Sequence, residues 1–104
     1  MHTFESGAQR EEAGTRYDLI SPIGMWRLAE VYDEGSKKYG DRNWEKGIPI
    51  SNLLSHTIAH IYDYLLGFRD EDHLAHAAWG LFAAMHMEDR KPEMQDTPIL
   101  EGVC

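Results

Sequence analysis

The sequence predicts an all-α domain, a small antiparallel bundle of three main helices. Three observations carry that expectation. Apolar residues recur at helical spacing in three stretches. Each stretch is bounded by capping, glycine or proline signals. No run alternates apolar and polar residues long enough to make a sheet. At 104 residues and 42% apolar, the chain can build one small core. A three-helix core of that length is thin, so the bundle is expected to be completed by oligomerisation.

Residues 1–16 are polar and glycine-containing, with no apolar period, and read as a flexible N-terminal arm. The helical domain is expected over 17–91. Tyr17 to Ile20 is an extended lead, Ser21 an N-cap and Pro22 the first helical residue. Helix one then runs from Pro22 to Tyr39 on a stripe of Met25, Leu28, Val31 and Tyr32, and Gly40 stops it. The loop GDRNWEKGIP, with two glycines and a proline, is irregular. Helix two is expected from a Ser51 cap to Leu66, with Leu54, Ile58, Ile61 and Leu65 inward and Gly67 ending it. Helix three is expected to open near Asp70, where Asp70, Glu71 and Asp72 suit the positive end of the helix dipole. Its buried candidates are Leu74, Ala77, Ala78, Leu81, Phe82 and Met85, and it should stop before Pro92. Residues 92–104 read as a loosely ordered tail, in which Ile99, Leu100 and Val103 can dock on a partner.

The formal charge is −8, from 10 basic and 18 acidic residues, which argues against binding nucleic acid or an anionic membrane. The start of the chain lacks a signal-peptide apolar core, and no apolar run approaches the roughly 20 residues of a membrane span. The lone Cys104 allows no disulfide within the chain. The expected location is the cytoplasm. The phosphate-binding GxxxxGK[ST] loop, GxGxxG, CxxC and HExxH are all missing, and Asp72-His73 reverses the His-Asp dyad of HD phosphohydrolases.

Four of the six histidines fall in one helix-turn-helix stretch, at His56, His60, His73 and His76, among Asp63, Asp70, Glu71 and Asp72. Offsets of three and four residues put His56 with His60, His60 with Asp63, and Asp72 with His76 on shared faces. Two antiparallel helices can aim such groups at one metal ion. Equally, acids can simply cap helix three while histidines fill half-buried positions. Glu30 lies beside the apolar stripe of helix one and needs a cation or a metal. Glu34, one turn on, is either a ligand or a solvated partner of Lys37 or Lys38. In the loop, Trp44 with Asn43, Arg42 and Lys46 can stack on a nucleobase and hold phosphates, or Trp44 can cap the core.

The strings TFESGAQR, RYDLISP, KYGDRNWEKGIP, AHIYDYLLG and DEDHLAHAAWG resemble the phage-associated dATP/dGTP diphosphohydrolases, relatives of the all-α MazG-like nucleotide pyrophosphohydrolases. The likeness runs from about Thr3 to Asp89. It implies Mg²⁺- or Mn²⁺-dependent cleavage of a purine deoxynucleoside triphosphate to the monophosphate and pyrophosphate. It also implies a homodimer or homotetramer. The metal ligands it implies are Glu30, His60, Asp63, Glu71 and Asp72; Lys38, Asn43, Trp44, Lys46 and His76 would serve the nucleotide, and Glu34 with Glu30 the chemistry. The chain departs from the pattern at His60, where an acid is usual, and at Gly80, where asparagine is frequent. The alternative is a non-catalytic nucleotide- or metal-binding helical module, acting as an accessory or structural dimer.

Overall fold

A computed structural model describes residues 1–12 and 14–102, so Val103 and Cys104 lie outside the described residues. The arm carries a two-stranded antiparallel hairpin, β1 (His2–Thr3) and β2 (Gln9–Arg10), in register His2 with Arg10 and Thr3 with Gln9. Three helices follow: α1 (Pro22–Tyr39), α2 (Ile50–Leu66) and α3 (His73–Arg90). The fold is the expected all-α bundle. α3 is its centre, with α2 packed along it and α1 against it. Within the described residues, no helix is long and apolar enough to cross a membrane.

α1 keeps its expected bounds because its signals are local. The Ser21 hydroxyl accepts the Gly24 N–H at 3.1 Å, and Gly40 ends the helix at φ 95°, a conformation that favours glycine. α2 begins one residue earlier than expected, behind Pro49, whose side chain offers no acceptor. Ser51 is therefore not its own cap. Its N–H and hydroxyl both donate to the carboxylate of Asp96, 45 positions away. That bond ties down a segment whose composition reads as loose. A 3-10 turn at Pro92–Met94 leads into it, and Met94 packs on the core. α3 begins at His73 rather than Asp70, because Asp72 is the cap and accepts the Ala75 N–H at 3.1 Å.

The core is Ile50, Leu53, Ala83, Ala84 and Met87, flanked by Trp44, Ile48, Leu54, Trp79 and Met94. At the middle of the seam Thr57 is buried, and its hydroxyl donates to the carbonyl of Leu53 at 2.9 Å. Gly80 faces it so closely that an added Cβ would sit 2.1 Å from Thr57 Oγ1. This close approach accounts for a glycine at position 80. The seam uses small groups so that two backbones can approach. The expected inward faces of α2 and α3 hold only in part: Leu54 packs on the core, Ala77 is buried and Ala78 half-buried. Ile58, Ile61 and Leu65 of α2, and Leu74, Leu81, Phe82 and Met85 of α3, are exposed. Of the stripe expected in α1, Leu28 and Val31 are buried, Tyr32 is half-buried and Met25 is exposed.

Candidate functional site

The loop after α1 is shaped by left-handed backbone at Arg42 (φ 56°) and by Gly47 (φ 122°). Between them a 3-10 turn, Asn43–Lys46, turns Trp44 back onto the helices. Trp44 meets His86 edge-on at 4.8 Å between ring centroids and Tyr32 at 6.0 Å; Tyr32 lies 6.4 Å from Trp79. Tyr32, Trp44 and Trp79 wall a cleft of about 870 Å³, which Asn43 and His56 also line. Ligand pockets commonly fall in this size range and combine aromatic walls with a few polar groups.

A second cleft, about 350 Å³, opens between α1 and the start of α3 and is lined by Arg27, Glu30, Asp70, Glu71 and Asp72. The two clefts share Val31, Glu34, Lys38 and His76. One helical turn separates Glu34 from Lys38, whose Nζ lies 3.8 Å from its carboxylate. Both are exposed, so this pair is weak and free to rearrange around a ligand. Glu30 is exposed into the smaller cleft rather than held on the apolar stripe.

Asp72 is fully engaged. The Arg27 guanidinium grips it through Nε at 2.9 Å and Nη2 at 2.6 Å, while one of its oxygens also caps α3. That guanidinium, helped by the Ala75 N–H, holds the Asp72 carboxyl below the usual aspartate range despite partial burial. The pair fastens α1 to α3 and leaves Asp72 little free capacity as a metal ligand.

Behind the smaller cleft, the Gly67 turn brings imidazoles together. His60 Nδ1 and His73 Nδ1 are 2.9 Å apart, and His73 Nε2 is 2.9 Å from Asp70 Oδ1. His76 Nδ1 donates to the carbonyl of Asp72 at 2.9 Å, and its ring stacks on His60 at 4.9 Å. Glu71 Oε1 stands 3.6 Å from Nδ1 of both His60 and His76. Burial, reinforced by the charge of His76, lowers the His60 pKa against the pull of Glu71. A lowered pKa favours the neutral imidazole, the form that ligates metals. His60, Asp63 and His73 each offer one ligand atom, all within 4.8 Å of one another.

The expected site residues thus fall into groups. Glu30, Glu71 and Asp72 line the smaller cleft, Asn43 and Trp44 the larger, and Glu34, Lys38 and His76 their junction. His60 and Asp63 line neither cleft and sit with His73; Lys46 lines neither cleft. Sequence reasoning missed Arg27, for which no local signal exists, since its partner lies 45 positions away. It also missed Tyr32 and Trp79 as walls of the cleft; their aromatic character at helix positions beside a tryptophan loop was the available signal.

The chain matches the family described as dATP/dGTP diphosphohydrolase, N-terminal, over residues 5–97. No curated protein and no solved structure matches it.

Proposed function

The chain belongs to the dATP/dGTP diphosphohydrolase N-terminal family, and from that premise we propose that it hydrolyses a purine deoxynucleoside triphosphate to the monophosphate and pyrophosphate. The observation that carries the reading is the junction, where an aromatic cleft and an acidic cleft share Glu34, Lys38 and His76. A purine fits against Trp44 and Tyr32, with Asn43 able to bond its edge. The phosphates then run across Lys38 toward the acids. A water oxygen forms the new bond to the α-phosphorus as the bond to the bridging oxygen breaks, and pyrophosphate leaves. Glu34 orients that water and takes its proton. Lys38 and His76 hold phosphate oxygens.

A hard divalent ion, Mg²⁺ or Mn²⁺, would be held in the smaller cleft by Glu30 and Glu71, whose carboxylates line it. When bound, such an ion neutralises phosphate charge and polarises the phosphorus–oxygen bonds. Asp72 acts by keeping Arg27 and the head of α3 in place. The outward apolar side chains of α2 and α3 support assembly as a homodimer or a pair of dimers, since large exposed apolar surface marks an interaction face.

The test is direct. Each deoxynucleoside triphosphate is incubated with the protein and either ion, and products are separated by anion exchange. dGTP or dATP should give monophosphate and pyrophosphate in equal amounts; monophosphate from none of the four ends the hydrolase reading. A second reading, nucleotide binding without turnover, draws on Asp70 and Asp72 being engaged by His73 and Arg27. It requires saturable nucleotide binding with no product in the same assay.

A further inference from the structure

We propose that the turn end of the α2–α3 hairpin is a separate metal site, built from His60, Asp63 and His73, for a borderline transition-metal ion such as Zn²⁺ or Co²⁺ rather than Mg²⁺. The site stands apart from the nucleotide reading, because none of the three residues lines either cleft.

Geometry is the first argument. The three side chains offer ligand atoms within 4.8 Å of one another. His60 Nδ1 and His73 Nδ1 are already 2.9 Å apart. Two nitrogens bound about 2.1 Å from a tetrahedral ion stand about 3.4 Å apart. The hydrogen-bonded pair therefore has to open by only about half an ångström to take an ion between its lone pairs. His60 and Asp63 share a face of α2 at i,i+3, and His73 opens α3 across the turn.

Proton placement is the second, independent argument. Asp70 Oδ1 lies 2.9 Å from His73 Nε2, so that nitrogen carries the hydrogen and donates it to the carboxylate. The other nitrogen, Nδ1, then carries the lone pair and faces His60. A carboxylate fixing the far nitrogen of an imidazole is the recurring support of metal-bound histidine. His73 is 4% exposed, which keeps the ring in this pose. Without an ion, the Nδ1 lone pair of His73 accepts a hydrogen bond from His60 Nδ1–H. With one, the His60 hydrogen moves to Nε2, and both Nδ1 lone pairs and the Asp63 carboxylate face the cation. The hydrogen leaving His60 Nδ1 is taken up by Nε2 of the same ring, so no proton needs a destination outside the pair.

Donor chemistry decides the ion. Two imidazoles and one carboxylate suit Zn²⁺, Co²⁺ and their neighbours, whereas Mg²⁺ prefers oxygen and holds its waters. Asp70 and Glu71 add negative charge beside the site without belonging to it.

The probe is Co²⁺ added to chelator-treated full-length protein with no nucleotide present, followed by its visible absorption bands and by calorimetry. One Co²⁺ per chain should bind, be displaced by Zn²⁺, and resist a hundredfold excess of Mg²⁺. His60→Ala, at a half-buried position, should abolish the bands. Asp70→Asn removes no ligand and keeps an acceptor for the buried His73 Nε2–H while losing the carboxylate charge; it should weaken binding about 10- to 100-fold. Glu30→Gln should leave the bands as they are. The proposal is overturned if His60→Ala binds Co²⁺ like the parent chain, if Mg²⁺ displaces Co²⁺ at equal concentration, or if Glu30→Gln rather than His60→Ala removes the bands.

Discussion

Away from the Gly67 turn, α2 and α3 meet through Ile50, Leu53, Ala83, Ala84 and Met87; beside the turn the same helices meet through His60, Asp63 and His73. The first end needs only contact. The second is built of groups that each require a partner. Among the described residues no buried side-chain nitrogen or oxygen lacks one. The contrast separates two tasks along one helix pair. The far end and the Gly80 seam hold the domain together, and the turn end, with Glu71 and Asp72 beside it, holds charged and ligating groups next to the clefts.

The largest expected effect falls on the chemical end. Glu34→Gln should lower triphosphate hydrolysis about 10²- to 10⁴-fold, the usual worth of a general base. Its melting temperature should not move, because Glu34 is exposed and its ion pair with Lys38 is solvent-screened. A parallel loss of stability would break the separation of tasks.

Next comes the seam. Gly80→Ala places a Cβ 2.1 Å from Thr57 Oγ1 and should cost about 1–3 kcal/mol of stability in urea unfolding. Thr57→Ala added to the same chain should recover much of that cost, because the next obstacles are Leu53 O at 3.2 Å and Thr57 Cβ at 3.4 Å. Unchanged instability in the double variant would mean that Thr57 is not what makes the seam tight.

The outward face offers a third, smaller test. Leu81→Glu and Ile61→Glu change exposed positions. In sedimentation they should shift the mass toward one chain while helical circular dichroism is kept. A parent chain that already sediments as one copy would remove the oligomer from the reading.

The smallest effect concerns the cap that the tail gives to α2. The Ser51 hydroxyl and N–H hold the Asp96 carboxyl below the usual aspartate range. A carboxyl depressed in the folded state contributes stability above its ordinary pKa, and the contribution is lost as pH falls through the folded value. The melting-temperature gap between the parent chain and Asp96→Ala should therefore be present at pH 7 and close below about pH 4. A gap that persists at pH 2 would assign it to packing rather than to charge.

What could be read from the chain follows the range of each signal. The bounds of α1 were legible because Ser21, Pro22 and Gly40 act within a turn of the ends they mark. The start of α2 was not, since its cap comes from Asp96 through a contact 45 positions long. The inward stripes of α2 and α3 were misplaced in part for a related reason. Periodicity finds large apolar residues, but the α2–α3 seam is lined by Ala83, Ala84, Gly80 and Thr57, whose small size sets how closely the helices pack. In the site, the loop residues Asn43, Trp44 and Lys46 suggested nucleotide binding, whereas Glu34, Lys38 and His76 were assigned only with the family resemblance. The engagement of Asp72 by Arg27 was invisible, and so was the pairing of His73 with His60.

By itself the sequence determined the helical class, the three helices and the kinds of chemistry at hand, because caps, breakers and periodicity act over a few residues. Only the tertiary structure decided which face is inside, which acid is free and which is held, and which imidazoles meet. Those outcomes depend on distances between segments far apart in the chain, which no local pattern encodes.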